Sequence, residues 1–149
     1  MKIDIGISEK AREKIANSLI QFLTETYTLY LKTHNFHWNV EGPMFNTLHL
    51  MFEQQYTEIW TAVDEIAERI RSLGFPVPAH FAKYKEYNAT LKDKEMIKEL
   101  VLGQETVART AREAFKIADA ASDQPTVDLL TRRMEIHEKN AWMLRSLLN

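Results

Sequence analysis

The sequence predicts an all-α fold: four long helices packed as a bundle in a single domain over residues 1–149, with one long crossover between the second and third. Three observations carry that prediction. Apolar residues recur at three- and four-residue spacings along runs much longer than an average globular helix. Only four glycines and four prolines occur in 149 residues, too few to punctuate many short elements. No stretch alternates apolar and polar residues as a half-buried strand does.

The first helix is expected from about 9 to 38. Ser8 supplies an N-cap hydroxyl and Glu9 places negative charge in the first turn, while Ile15, Leu19, Phe22, Leu23, Leu29 and Tyr30 form an apolar stripe continuing toward Phe36. Gly42-Pro43 marks the stop and the next start, because glycine takes positive φ readily and proline is tolerated in a first helical turn. The second helix is expected from about 43 to Leu73, with Leu48, Phe52, Ile59, Ala62, Ile66 and Ile70 inward and Gly74 as its terminator. At roughly 30 residues and 45 Å, it suits a bundle of long helices. Residues 75–90 hold two prolines among several aromatics and read as a long connection with one short helix around 79–85. Thr90 and Asp93 form a candidate capping box for a third helix over about 91–120. The fourth follows the Asp123-Gln124-Pro125 break and reaches about Leu148, with Leu129, Leu130, Met134, Trp142 and Leu147 expected inward. An up-down bundle with one long crossover has ferritin-like topology.

Hydrophobic content of 45% and charged content of 27% are those of a soluble globular chain. The absence of cysteine excludes disulfides, thiolate metal sites and a cysteine nucleophile. The opening MKIDIGISEK has no apolar segment of secretory type and no run approaches 18 apolar residues, so a cytoplasmic protein without a membrane partner is expected. A net charge of −2 argues against a strongly basic nucleic-acid binder.

Chemistry is concentrated in the second helix. His49 and Glu53 are an i,i+4 pair, as are Asp64 and Glu68, so each pair shares a helix face. Eleven residues separate Glu53 from Asp64, which returns the second pair to within roughly 20° of the first but leaves an axial gap of about 16 Å. No single ion spans that gap. Positions 49 and 68, and positions 53 and 64, share the midpoint 58.5. Two copies crossing antiparallel about a two-fold axis near Glu58 and Ile59 would therefore set His49 and Glu53 of one against Glu68 and Asp64 of the other. Such a site exists only in the oligomer. Each of these residues also has a plainer reading, as an acidic outer face or a surface or core histidine, and His37 beside Trp38 reads equally as a partly buried histidine. Imidazoles with several carboxylates suit iron, manganese or zinc. The residues three before His34, His37, His49, His80 and His137 are Leu31, His34, Asn46, Val77 and Met134, so the Glu-x-x-His motif of di-iron sites within one bundle is absent.

HWNVEGPMF from His37, HLMFEQQYTEIWTAVDEIAERIRSLG from His49 and PTVDLLTRRMEIHEKNAWMLR near the end resemble the Dps proteins, the miniferritins, over essentially the whole chain. The resemblance implies a metal site of His37, His49 and Glu53 from one subunit with Asp64 and Glu68 from its dimer mate, where some members have aspartate at the Glu53 position. It implies two Fe(II) ions oxidised per site by hydrogen peroxide, or more slowly by dioxygen, with zinc or manganese as possible surrogates. It further implies a dodecamer built from two-fold dimers that encloses a ferric mineral. The family's tryptophan at Trp38 is thought to donate an electron to escaping oxidising equivalents, alongside a packing role. Asp128, with Asp123 as a second candidate, resembles the acidic lining of the family's threefold pores. The alternative function is a shell that binds and protects DNA non-specifically. Some relatives do so through a lysine-rich tail, but here the segment before Ser8 carries one lysine, Lys2, offset by Asp4, and the chain ends SLLN. Twelve chains at −2 each total about −24, which DNA phosphates repel, so binding is expected to be weak or absent, with Lys83 and Lys85 on the crossover as the basic residues that leave it open.

Overall fold

Ser8 starts the first helix as expected: its hydroxyl accepts from the Ala11 N–H at 3.3 Å, satisfying one of the amides that a helix start leaves unpaired. The computed structural model describes residues 2–78 and 91–148 and contains four helices: α1 (Glu9–Asn39), α2 (Phe45–Ser72), α3 (Asp93–Ala120) and α4 (Gln124–Ser146). No strand occurs among the described residues, and no helix there is long and apolar enough to cross a membrane.

The turns follow from local chemistry. Gly42, at φ 105°, turns the chain between α1 and α2, but the N-cap of α2 is Met44, so Pro43 precedes the helix instead of opening it. Gly74, at φ 97°, ends α2 in a Schellman motif: its N–H reaches the Arg71 carbonyl at 2.9 Å and the Phe75 N–H reaches Ile70 at 3.3 Å. A Cβ at Gly74 would collide with the Ile3 side chain, so the glycine also admits the N-terminal segment. α3 begins two residues later than expected. Its N-cap is Lys92, whose N–H is accepted by the Glu95 carboxylate at 3.0 Å, so the capping partner three residues on is Glu95 and Asp93 opens the helix; Thr90 lies outside the described residues. α3 ends in a second Schellman motif, with Ser122 at φ 55°.

α1 packs on α2 and α3, and α3 packs on α4. Lys32 at the end of α1 pairs with Glu99 at the start of α3 at 2.9 Å, and Arg69 at the end of α2 pairs with Asp123 just before α4 at 2.7 Å. α1 is therefore antiparallel to α3 and α2 to α4. With two short hairpins this makes α2 and α3 parallel, so α3 begins at the bundle end opposite to where α2 stops, about 42 Å away for helices of this length. The short helix expected around 79–85 lies outside the described residues.

Every expected inward residue of α1 and α2 is buried except Tyr30, which lies at the margin of the core. On α4 the expectation fails at Trp142, which is 62% exposed. The buried row of that helix runs through Leu130, Arg133, His137, Ala141 and Leu144. Two polar residues occupy its centre, so counting apolar residues alone rotates the stripe toward Trp142. Arg133 donates to both carboxylate oxygens of Glu58 and, at 3.0 Å, to His137 Nε2. Guanidinium has no acceptor, so Nε2 carries the lone pair and Nδ1–H donates to Gln104 Oε1 at 2.6 Å. The Gln104 amide continues to Gln55 at 3.5 Å. This buried chain ties α2 to α4 and α3.

Burial, and then the charge of Arg133, hold the His137 imidazole well below its ordinary 6.5. Because the folded value lies below the unfolded one, the unfolded chain binds more protons as the pH falls below about 6.5, and stability is lost in that direction. Denaturant titrations at fixed protein concentration should show this slope, and His137→Gln should remove that part of it.

Candidate metal centre

α1 ends and α2 begins with a pair of histidines facing each other. The His37 and His49 rings stack at 3.8 Å between centroids with 18° between planes. His37 Nδ1 lies 2.9 Å from the His49 carbonyl, and His49 Nδ1 lies 2.9 Å from the His37 carbonyl. A carbonyl only accepts, so Nδ1 is the donor in both rings. In the neutral imidazole the lone pair is then on Nε2, and such a backbone bond is the usual way a ligating histidine is held in its tautomer. The His37 carbonyl lies beyond the last intrahelical bond of α1, which Val40 makes to Phe36, so the contact also satisfies a helix-end acceptor.

Glu53 is exposed on α2 one turn after His49, and Asp64 and Glu68 are exposed farther along the helix. Among the described residues no three His, Asp or Glu side chains come together to hold a metal. The helix rise accounts for this, since Glu53 and Asp64 stand about 16 Å apart along the axis. Within one chain the structure thus joins His37 to His49, with Glu53 a turn away, and leaves Asp64 and Glu68 as a separate pair.

The midpoint of α2 falls between Glu58 and Ile59. Ile59 is fully buried and Glu58 is committed to Arg133. The outward positions sharing the midpoint 58.5 are Thr57 and Trp60. Trp60 is 54% exposed in the single chain. With Leu50 and Phe45 it makes the outer face of α2 partly apolar. A shallow groove there is lined by Leu50, Glu53, Gln54, Thr57, Glu58 and Thr61.

Trp38 is 63% exposed, and its ring meets His34 at 4.0 Å. His34 also stacks on Tyr56 at 4.1 Å, and Tyr56 presents an edge to His37 at 5.1 Å. Burial and the neighbouring His37 push the His34 imidazole below its ordinary value. Helical spacing alone does not place Tyr56 against His34 and His37, nor the Tyr30 hydroxyl beside His34. The available signal was the i, i+4, i+8 row of Tyr30, His34 and Trp38, which places three aromatic rings on one face of α1.

The two candidate pore aspartates differ sharply. Asp128 is exposed and bonded at 3.0 Å by Arg132, which also reaches Glu65 at 2.7 Å. Those two carboxylates raise the Arg132 guanidinium above its ordinary value. Asp123 is fully buried as the N-cap of α4, receiving the Thr126 N–H at 3.3 Å and the Thr126 hydroxyl at 2.5 Å, with Arg69 at 2.7 Å. Its carboxylate is occupied inside its own chain.

Residues 16–149 match the family model of the ferritin-like domain. The chain is 37% identical over 155 residues to a low temperature-induced protein of Nostoc sp., covering 99% of this chain and 87% of the relative. It is 39% identical over 127 residues to DNA protection during starvation protein 2 of Bacillus anthracis, covering 81% of this chain and 87% of that one. The crystal structure of a Dps protein from Bacillus brevis has a TM-score of 0.87 at 34% identity, covering 100% of both chains.

Asp123→Ala strands a largely buried guanidinium and should cost about 3–5 kcal/mol. Asp128→Asn should leave stability within about 0.5 kcal/mol. Equilibrium denaturation of both variants at one protein concentration checks the contrast.

Proposed function

Because the chain belongs to the Dps family of ferritin-like proteins, we propose that it oxidises Fe(II), preferentially with hydrogen peroxide, at sites shared by two-fold-related subunits and stores the Fe(III) as mineral in a hollow shell. One observation carries the reading. His37 and His49 are locked with Nδ1 on backbone carbonyls, beside an exposed Glu53, while the remaining carboxylates, Asp64 and Glu68, lie at positions that only a second copy can bring to them. A two-fold crossing at Thr57 and Trp60 supplies that copy, and burial of the exposed apolar residues on this face favours it.

In this reading Nε2 of His37 and His49 binds Fe(II) on one subunit, and Glu68 and Asp64 of the other neutralise its charge. Glu53 holds the second, weaker iron or orients water toward it. Two Fe(II) ions contribute one electron each to one peroxide, so the oxidant is reduced by a pair and no hydroxyl radical is released. Asp128 lines the entry route for Fe(II), where converging carboxylates focus cations. We assign Asp123 to capping α4, since its oxygens are already engaged by Arg69 and Thr126. The shell is a dodecamer by family analogy, works in the cytoplasm and binds DNA weakly at most at −2 per chain. Lys83 and Lys85 lie outside the described residues.

Light scattering coupled to iron analysis, during stepwise addition of Fe(II) and peroxide, tests the function. The expected result is a particle of about twelve subunits that takes up many irons per subunit without changing size. Sharing of the site is tested by subunit mixing. His49→Asn and Glu68→Gln homo-oligomers should each assemble and oxidise iron poorly. Dissociated, mixed in equal amounts and reassembled, they should regain intact sites at about a quarter of positions, because half the dimers are mixed and one of their two sites is complete. No recovery on mixing would place both residues in the same subunit's site.

A further inference from the structure

A row of partly buried aromatic rings leads away from the candidate iron site along the α1–α2 hairpin, at the margin of the core. It begins at His37, whose ring meets Tyr56 at 5.1 Å. Tyr56 meets Tyr30 at 6.3 Å, and Tyr30 meets Tyr27 at 5.7 Å and Trp60 at 5.3 Å. His34 bridges the row, stacked on Tyr56 at 4.1 Å with its Nδ1 3.3 Å from the Tyr30 hydroxyl. A phenol gives up an electron readily only when its proton leaves too, because the oxidised phenol is a very strong acid. Tyr30 carries both requirements: ring contact with the row, and an imidazole within hydrogen-bond reach of its hydroxyl.

We propose that Tyr30, paired with His34, is a one-electron donor to the iron site and supplies the second electron of peroxide reduction when a site holds a single Fe(II). The inference rests on the iron-oxidising function proposed above. Cleavage of the peroxide O–O bond takes two electrons. One comes from Fe(II), which becomes Fe(III), and the other from Tyr30, which becomes a neutral phenoxyl radical. The phenolic proton moves along the existing hydrogen bond to His34 Nδ1, and the two oxygens leave as hydroxide ions. Without this donor, a single Fe(II) delivers one electron and releases hydroxyl radical. Trp38, which touches His34 and is largely exposed, is a separate branch of the same row.

The assembled protein, given less than one Fe(II) per site and then hydrogen peroxide, is freeze-quenched and examined by electron paramagnetic resonance. Ring-deuterated tyrosine distinguishes a tyrosyl from a tryptophanyl signal. The expected result is a tyrosyl radical that is lost in Tyr30→Phe and kept in Trp38→Phe, with spin-trapped hydroxyl radical rising in Tyr30→Phe. His34→Gln leaves the phenol in place and removes its base, so it should also lose the radical. A signal that persists in Tyr30→Phe or in His34→Gln overturns the proposal. So does its absence in wild-type protein that oxidises two Fe(II) per peroxide when iron is plentiful. Wild-type protein that oxidises no Fe(II) under either condition overturns the iron-oxidising function itself, and the donor role with it.

Discussion

The paired imidazole–carbonyl bonds between His37 and His49 are the interaction on which the rest of the candidate site depends. Each ring donates to the other residue's backbone, and rotating His49 away would strand the His37 carbonyl, which lies beyond the last intrahelical bond of α1. The bonds set the hairpin and the histidine tautomers together. A metal ligand is usually oriented by a second set of groups; here the two ligands' own backbones serve as that set.

α2 has two faces with different tasks. Its inner face, from Leu48 through Phe52, Ile59, Ala62 and Ile66 to Ile70, is buried in the core. Its outer face carries Glu53, Thr57, Trp60, Asp64 and Glu68, all exposed in the single chain. The inner face packs α2 against α1, and the unbroken helix from Phe45 to Ser72 sets the symmetric spacing of the outer face. A kink near residue 58 would disturb both proposed sites of a dimer at once, because they lie on either side of the midpoint.

The polar chain from Glu58 through Arg133, His137 and Gln104 to Gln55 crosses the bundle where apolar packing is otherwise continuous. Its members sit on α2, α3 and α4, and their bonds demand one relative height for those helices. Apolar side chains would tolerate sliding; matched donors and acceptors do not. The network therefore holds the site-bearing helix in position, and its neutral histidine makes that hold sensitive to acid.

Most of the helical framework was legible in the sequence, because period, caps and turn residues are local properties. Ser8, Gly74 and the Asp123 break lie where the helices change, and the apolar stripes of α1 and α2 are the buried ones. The symmetric stripe of His49, Glu53, Asp64 and Glu68 is likewise a matter of spacing along one helix. What tertiary structure decided were contacts between helices, which no local pattern encodes. Trp142 faces outward because Arg133 and His137 take the inward row, and those polar residues can be buried only because α2 and α3 supply their partners. Asp123 is enclosed because Arg69 arrives from α2. The His37 and His49 tautomers, and the ring row through Tyr56 and Tyr30, arise only where α1 meets α2. Helix period determines which side chains share a face, whereas burial, protonation and partnership depend on what the neighbouring helix brings to that face.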